Sequence, residues 1–445
     1  MGLFGSSGIR GIVNEKMTPE LALKAGRALG LTHKCVAVGH DPRTSSSMIE
    51  DAVVAGLLAS GARVTRVGLV STPTLAYAAR RFDCGVMVTA SHNPPEYNGL
   101  KFWNPDGMAF SLQQQDELEQ LIYSDIKGVS WATIGQETTV HDAVFDHIAV
   151  ILKNVERCGL KVVVDCGCGS AATITPYVLR EMGCRVIALN AQPDGFFPAR
   201  APEPVDENLS QLKETVRATG ADLGIAHDGD ADRMMAVDET GRLATGDELL
   251  AYFCRFEVKG SVACPVDASM AVDRCGQDVR VYRTRIGDAF VSEEVRRVGA
   301  DFGGETSGTW IFPRISYCPD GIYAAAKIVE LVSQHGPLSQ AIAGLPRYPL
   351  RRGGLKFADE RCKADIMGGV KAALEGDERA SLNTLDGLRV QYEDGWMLIR
   401  PSGTEPKIRI TAEAVDAAAA ERLYARAESI VKRCIDSCAT TRPSR

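Results

Sequence analysis

The sequence predicts a multidomain α/β protein with mostly parallel sheets. Three observations carry that expectation. The chain has 445 residues, far more than one hydrophobic core holds. Hydrophobic residues make up 45% and charged residues 24%, the balance of an ordinary globular chain. One layout, a strand, a helix and a second strand led by glycine, recurs three times, as expected of βαβ units.

The first copy is Val36-Ala37-Val38-Gly39, a helical stretch from Ser47 to Ser60, then Gly61 to Val67. The second is Lys161 to Asp165, a helix near Thr175 to Met182, then Gly183 to Leu189. The third is Ser261 to Pro265, a short helix, then Gly276 to Tyr282. The leading glycines suit helix C-termini, which favour left-handed backbone. The last segment differs. After Lys356 strands are expected only at Trp396 to Ile399 and Ile408 to Thr411. An amphipathic helix then runs from about Asp416 to Cys434, with Leu423, Ala427, Ile430, Val431 and Cys434 on one face.

A formal net charge of −7 gives no global field for nucleic acid or anionic membranes. No stretch is long and apolar enough to span a bilayer. The chain does not open on a charged segment followed by an apolar one, so a cytoplasmic protein is expected. Its thirteen cysteines are then reduced thiols. Oligomeric state stays open.

Four short constellations carry chemistry. Asp228-Gly229-Asp230-Ala231-Asp232-Arg233 lies between the apolar strands Leu223–Ala226 and Met234–Val237. Three carboxylates at alternate positions of a tight loop suit a hard divalent cation. An EF-hand is excluded, although Glu239 falls at its twelfth position, because Arg233 stands where that loop needs glycine. Thr89-Ala90-Ser91-His92-Asn93-Pro94-Pro95 follows the buried strand Gly85–Val88. A serine hydrolase is disfavoured: neighbours in an extended loop point apart, and Gly-x-Ser-x-Gly is absent. Arg400-Pro401-Ser402-Gly403-Thr404-Glu405-Pro406 gathers a guanidinium, two hydroxyls and a glycine, a set that suits phosphate. Within Gly303 to Gly308, Glu305 and Ser307 are placed to bond sugar hydroxyls. A rival signal is Gly167-x-Gly169-x-x-Ala172, similar to a dinucleotide-binding turn. Its confirming acidic residue is missing, since the next strand ends in Asn190.

These segments, in this order, resemble the α-D-phosphohexomutase family. The resemblance begins at Phe4-Gly5-Ser6-Ser7-Gly8-Ile9-Arg10-Gly11 and covers nearly the whole chain. It implies four domains around a central cleft, three related mixed α/β domains and a C-terminal TATA-binding-protein-like α+β domain. On this chain they fall at 1–145, 146–246, 247–350 and 351–445. It implies a phosphate on Ser91, and Mg²⁺ held by Asp228, Asp230, Asp232 and a phosphate oxygen on Ser91. Glu305 and Ser307 would grip the sugar. Arg400, Ser402, Gly403 and Thr404 would hold the phosphate not in transfer. Arg10, His92, Lys101 and Arg233 match positions near the reacting groups, with Lys101 or His92 as general acid or base. Thr309 replaces a histidine that many bacterial members carry. The implied reaction interconverts hexose 6- and 1-phosphates through a 1,6-bisphosphate. Phe4 to Gly8 and Val70 to Thr74 resemble members acting on glucosamine phosphate, with mannose or glucose phosphates as alternatives. A catalytically silent sugar-phosphate binder is disfavoured by the retention of Ser91, the three aspartates and Arg400.

Overall fold

The structure, a computed structural model, describes residues 2–5, 8–276, 279–375, 380–402 and 406–441. The chain builds four sheets in sequence.

The first contains β1 (Phe4–Gly5), β2 (Gly8–Ile12), β3 (Cys35–His40), β4 (Arg63–Leu69), β5 (Cys84–Val88), β6 (Tyr97–Trp103) and β7 (Glu137–Thr139). Their order is β1-β2-β6-β5-β3-β4-β7. The central strands β5, β3 and β4 run parallel, joined through α2 (Ser46–Ala59) and α3 (Thr72–Ala79). The other helices of this region are α1 (Pro19–Thr32) and α4 (Leu112–Ile122). Every residue of β5 is buried, as expected for a strand covered on both faces. This delivers Ser91 from the C-terminal end of β5.

The second unit opens with α5 (Ala143–Lys153), so a domain edge at 145 would divide a helix. It continues with β8 (Lys161–Asp165), α6 (Thr175–Glu181), β9 (Arg185–Leu189), α7 (Ser210–Thr219), β10 (Leu223–His227) and β11 (Met234–Val237). The sheet order is β11-β10-β8-β9, and the aspartate loop joins β10 to its antiparallel neighbour β11. The third unit has α8 (Gly246–Phe256), β12 (Ser261–Pro265), β13 (Arg280–Thr284), α9 (Asp288–Val298), β14 (Phe302–Gly304), β15 (Trp310–Ile311), α10 (Gly321–His335) and α11 (Leu338–Ala343). Its sheet order is β13-β12-β14-β15. The second and third units share one continuous hydrophobic core running from Ile151 to Ile342.

The fourth unit is a five-stranded antiparallel sheet ordered β16-β20-β19-β18-β17. It comprises β16 (Leu350–Lys356), α12 (Lys363–Leu374), β17 (Ser381–Asn383), β18 (Leu388–Gln391), β19 (Gly395–Pro401), β20 (Lys407–Ala414) and α13 (Ala417–Thr441). Its helices α12 and α13 bury their own core against the sheet.

The three βαβ layouts are present and each strand pair is parallel. Three details differ from expectation. The short helix of the third copy is one 3₁₀ turn, Val272–Arg274, too short to propagate an α-helix. Gly61 and Gly183 take positive φ (76° and 101°), but Gly276 is not among the positive-φ residues. In the last segment β17 and β18 are additional strands; Leu388 and Val390 are buried on alternate positions of β18.

Candidate active site

Ser91 and the three aspartates meet in one buried cluster. Ser91 Oγ donates a 2.7 Å hydrogen bond to Asp228 Oδ2, across 137 residues of sequence. Lys101, on β6, donates to Asp230 Oδ2 at 2.7 Å and to Asp232 Oδ2 at 2.6 Å. Ser91 is 1% exposed, Lys101 3%, and the three aspartates at most 3%.

Backbone shape forces this meeting. Ser91 (φ 52°) and Ala231 (φ 60°) both hold left-handed backbone, which costs about 1 kcal/mol or more each for residues with a Cβ. The two loops touch at Gly229, where a Cβ would lie 2.6 Å from the Ser91 carbonyl oxygen. Because Ser91 is left-handed and not extended, its neighbour does not point away. His92 Nδ1 lies 3.4 Å from Ser91 Oγ, which corrects the sequence-based expectation.

Two positioning residues were not legible beforehand. Arg43, 2% exposed, follows β3 and lies under the Ser91 loop. Its guanidinium donates to the carbonyls of Ser91 (2.8 Å), Asn93 (2.7 Å), Pro94 (2.6 Å) and Tyr97 (2.9 Å). Its Nε donates to Asp41 Oδ2 at 3.0 Å, and Thr89 Oγ1 donates to the same oxygen at 2.7 Å. Thr89 Oγ1 in turn accepts from Ser91 N at 2.9 Å. Thr72, at the start of α3, donates from Oγ1 to Asp230 Oδ2 (2.6 Å) and from its backbone to the Asp230 carbonyl (2.9 Å). Ser71 caps α3, and Thr74 Oγ1 continues to His147 Nδ1 at 3.0 Å. His147 Nε2 lies 3.0 Å from Asp320, the N-cap of α10. Thus three units pin the helix that holds Asp230. The local signals here, Asp41-Pro42-Arg43 at a strand end and the Ser-Thr-Pro-Thr run at Ser71 to Thr74, mark a turn and a helix cap but not the distant partners.

The electrostatics follow from burial and crowding. Burial, then the charges of Asp232 and Asp230, push Asp228 well above the usual carboxylate range. Asp232 is raised by burial and by Asp230, against the pull of Lys101. Burial would raise Asp230 too, but Lys101 outweighs it and holds this carboxyl well below the usual range. Burial works against the Lys101 ammonium, yet Asp230 and Asp232 keep it charged beyond the ordinary range. His92 is pushed down to about 3, first by burial and then by Arg233, Arg10 and Lys101. Arg10 reaches Asn93 Oδ1 at 3.3 Å, and the Arg233 backbone donates to Asp228 Oδ1 at 3.2 Å.

The residues present fit a divalent cation. Carboxylate oxygens of Asp228, Asp230 and Asp232 lie within 4.8 Å of one another. Asp230 Oδ1 and Asp232 Oδ1 are buried with no hydrogen-bond partner, so two acceptors face a space without a donor. Such a donor set of carboxylate oxygens suits a hard divalent cation. Glu239 takes no part; it accepts from the backbone and hydroxyl of Ser339.

The loop that carries Glu305 and Ser307 is adjacent. Thr309 bridges Arg233 across an antiparallel contact, and Met234 N donates to the Gly308 carbonyl at 2.9 Å. Glu305 is buried and accepts from Gly287 N (2.7 Å), Thr309 Oγ1 (3.2 Å) and Ser307 Oγ (3.4 Å). Burial, then Asp288, pushes its carboxyl up to about 7. Arg400 stands on β19 of the fourth sheet, and Ser402 follows that strand. Arg400 Nε is 3.6 Å from Asp386 Oδ1, and Asp386 Oδ2 accepts from Ile286 N at 2.8 Å, next to the Gly287 that binds Glu305. Gly403 and Thr404 lie outside the described residues.

The dinucleotide-like turn has another purpose. A Cβ on Gly167 would lie 2.7 Å from the Arg200 guanidinium, and one on Gly169 would lie 2.6 Å from the Gly229 carbonyl. Arg200 binds Asp165 and the His227 carbonyl at 2.7 Å each. The glycines therefore pack this turn under the aspartate loop.

Fold and site together describe a phosphoryl-transfer enzyme of the isomerase class. The sequence matches the phosphoglucomutase/phosphomannomutase family over its α/β/α domain I (residues 1–127), domain II (142–241), domain III (245–348) and C-terminal domain (358–429). The chain belongs to that family. It is 78% identical over 439 residues to a probable phosphoglucosamine mutase of Methanocella arvoryzae, covering 99% of this chain and 100% of that one. A probable phosphoglucosamine mutase of Methanococcoides burtonii is 55% identical, with 98% and 100% covered. A crystal structure of a family protein from Burkholderia thailandensis superposes with TM-score 0.86 at 29% identity, over 97% of each chain.

Proposed function

We propose that this protein is a phosphoglucosamine mutase, interconverting glucosamine 6-phosphate and glucosamine 1-phosphate. The observation that carries the mechanism is the Ser91 hydroxyl bonded to Asp228 inside a buried carboxylate trio. In the active form Ser91 carries the phosphate that is passed on. That adds about −1.5 to −2 charges to three carboxylates. Asp228, Asp230 and Asp232 would hold Mg²⁺, which would offset this charge and polarise the phosphoryl oxygens.

The residues then act in sequence. Glu305 and Ser307 hold the sugar, and Arg400 with Ser402, Gly403 and Thr404 holds the phosphate already on it. The free sugar hydroxyl attacks phosphorus, its bond to Ser91 Oγ breaks, and a 1,6-bisphosphate forms. The bisphosphate turns over, Ser91 Oγ takes the other phosphate, and the second monophosphate leaves. Lys101, Arg10 and Arg233 bring positive charge to the transferred group. Either His92, in contact with Ser91 Oγ, or Lys101 carries the proton of the cycle. Catalysis here is positioning and charge stabilisation, which a rigid buried cluster supplies.

Two observations favour the amino sugar. The relatives of 78% and 55% identity are named for it. Glu305 also lies in the field of Asp288 and Asp267, each acting on it more strongly than the opposing Arg233, an environment suited to an ammonium group. The proposed setting is cytoplasmic, with a small sugar phosphate as partner.

The test has two arms. Intact mass before and after phosphatase reads the phosphate, and Ser91→Ala is expected to fold normally and to keep less than about a thousandth of the turnover. Full activity of that variant without added bisphosphate would end the mechanism. Catalytic efficiency compared on the 1-phosphates of glucosamine, glucose and mannose tests the sugar; a preference for either neutral sugar would overturn that assignment alone.

A further inference from the structure

None of the thirteen cysteines takes part in the chemistry above, and no disulfide joins any of them among the described residues. Two of them meet. Cys158 lies in the connection from α5 to β8, and Cys184 in the turn from α6 to β9, with their sulfurs 3.9 Å apart. The segments that carry them are already fastened: Cys158 N donates to the Met182 carbonyl at 2.8 Å. Cys184 Sγ lies 3.5 Å from the Cys158 carbonyl oxygen. Gly183, with φ 101°, lets the turn press against this connection; a Cβ there would lie 3.2 Å from the Cys158 oxygen. Bringing the sulfurs to the roughly 2.05 Å of a disulfide therefore needs side-chain rotation, with the backbone segments already side by side.

We propose that Cys158 and Cys184 form a redox site, a dithiol that closes to an intramolecular disulfide on meeting a low-molecular-weight disulfide. Access and reactivity differ between the partners in the way such a pair requires. Cys158 is partly exposed, whereas Cys184 is buried. The Cys184 hydrogen bond holds the Cys158 thiol below its ordinary range, while the same contact and burial push Cys184 up. Cys158 is the attacking thiolate and Cys184 the resolving thiol. Other thiols, such as Cys254 and Cys318, are fully buried and pushed well up by that burial.

The exchange balances. Cys158 Sγ attacks one sulfur of the external disulfide, whose S–S bond breaks, and one external thiolate leaves. Cys184 Sγ then attacks Cys158 Sγ in the mixed disulfide, and the second external thiolate leaves. Two protein thiols lose two electrons, the external disulfide gains them, and both protons end on the released thiols.

The disulfide would join residues 26 apart in sequence, around β8 and α6. Cys158 and Cys184 precede β8 and β9, which run parallel to each other and to β10. The aspartate loop follows β10, at the opposite end of this sheet. The disulfide is accordingly a staple that stiffens the second unit and leaves the chemistry alone.

The experiment titrates the full-length protein with glutathione disulfide, blocks remaining thiols and maps tryptic peptides without reduction. The expected first product links the peptide Cys158–Lys161 to the peptide Glu181–Arg185, is reversed by dithiothreitol, and leaves mutase activity unchanged. Its melting temperature rises by roughly several degrees. Cys184→Ser is expected to stop at glutathione on Cys158, and Cys158→Ser to form no link at Cys184. A different cysteine pair linking first, glutathione persisting on Cys158 in the unsubstituted protein, or the absence of any link would overturn the site. An unchanged melting temperature would overturn the staple. The map of the unsubstituted protein decides even if either variant fails to fold.

Discussion

The Ser91 loop and the Arg400 turn both handle phosphate in the proposed reaction, yet the molecule builds them differently. Ser91 is 1% exposed, and the carbonyls of its loop are gripped by a single buried guanidinium. Its acidic neighbours are fixed by Lys101, Thr72 and the Arg233 backbone. The Arg400 side chain is 27% exposed and faces one carboxylate at 3.6 Å. It stands on a sheet with a hydrophobic core of its own. The contrast teaches a division of labour. The centre where bonds change is fixed in advance, which limits reorganisation during transfer. In the proposed reaction the clamp accepts a substrate in two orientations, and a less confined cation on a separately packed unit suits that task.

The sharpest way to break the comparison is at Arg43. Its guanidinium and the Asp41 carboxylate are fully buried, so Arg43→Met leaves an unpaired charge and four carbonyls without their donor. Breaking a buried pair costs about 3–5 kcal/mol. We expect a lower unfolding temperature for the first unit, read by calorimetry. Arg43→Lys keeps the charge but not the planar fork. It is expected to fold and to lose about a hundredfold in kcat through a displaced Ser91. A near-normal kcat in that variant would mean the loop does not depend on this clamp.

Thr72→Val is next. The substitution is nearly isosteric and removes the hydroxyl that donates to Asp230. Loss of a partner behind a metal ligand lowers metal affinity about 10–100-fold. Direct binding of Mn²⁺, followed by electron paramagnetic resonance, checks this apart from turnover. Equal affinity in both proteins would remove Thr72 from the positioning set.

These two residues mark where sequence reading ran out. Ser91, Asp228, Asp230 and Asp232 were legible because their loops pack acceptors, hydroxyls and turn formers into a few consecutive residues. Thr72 and Arg43 act on partners 158 and 48 residues away, and no local pattern reports such a meeting. The contact between Ser91 and His92 escapes any reading that takes this loop as extended, because φ at Ser91 is 52°. The repeated βαβ units were readable from β-branched runs alternating with helical spacing. β17 was too short to register. β18 carries the alternation Leu388-Arg389-Val390, but four residues are too few for that period to stand out.

A smaller effect is expected at the clamp. Arg400→Lys keeps a cation but loses bidentate geometry, so KM for the sugar phosphate rises about tenfold while kcat stays within about twofold. A large fall in kcat with unchanged KM would place Arg400 among the groups that stabilise the transfer itself, and the division of labour would fail.

The mildest test is the pH dependence of Glu305, which sits between the two regions. Burial, then Asp288 and Asp267, holds its carboxyl up to about 7. In the proposed reaction the carboxylate is the form that accepts hydrogen bonds from the sugar, so kcat/KM is expected to rise with pH through 7 and then level. Simple titration about that value gives roughly a fourfold fall from pH 8 to pH 6.5. The substrate phosphate also titrates, near pH 6. Glu305→Gln separates the two, because its profile keeps the phosphate step and loses the other. The same shift has a stability sign. The native carboxyl keeps its proton up to about 7, whereas the unfolded chain sheds it near 4.5. The native state therefore binds more protons across that window, and this residue's contribution to stability falls as pH rises through it. A Glu305→Gln profile identical to that of the unsubstituted protein in both rate and unfolding would show that Glu305 does not hold the sugar through its charge.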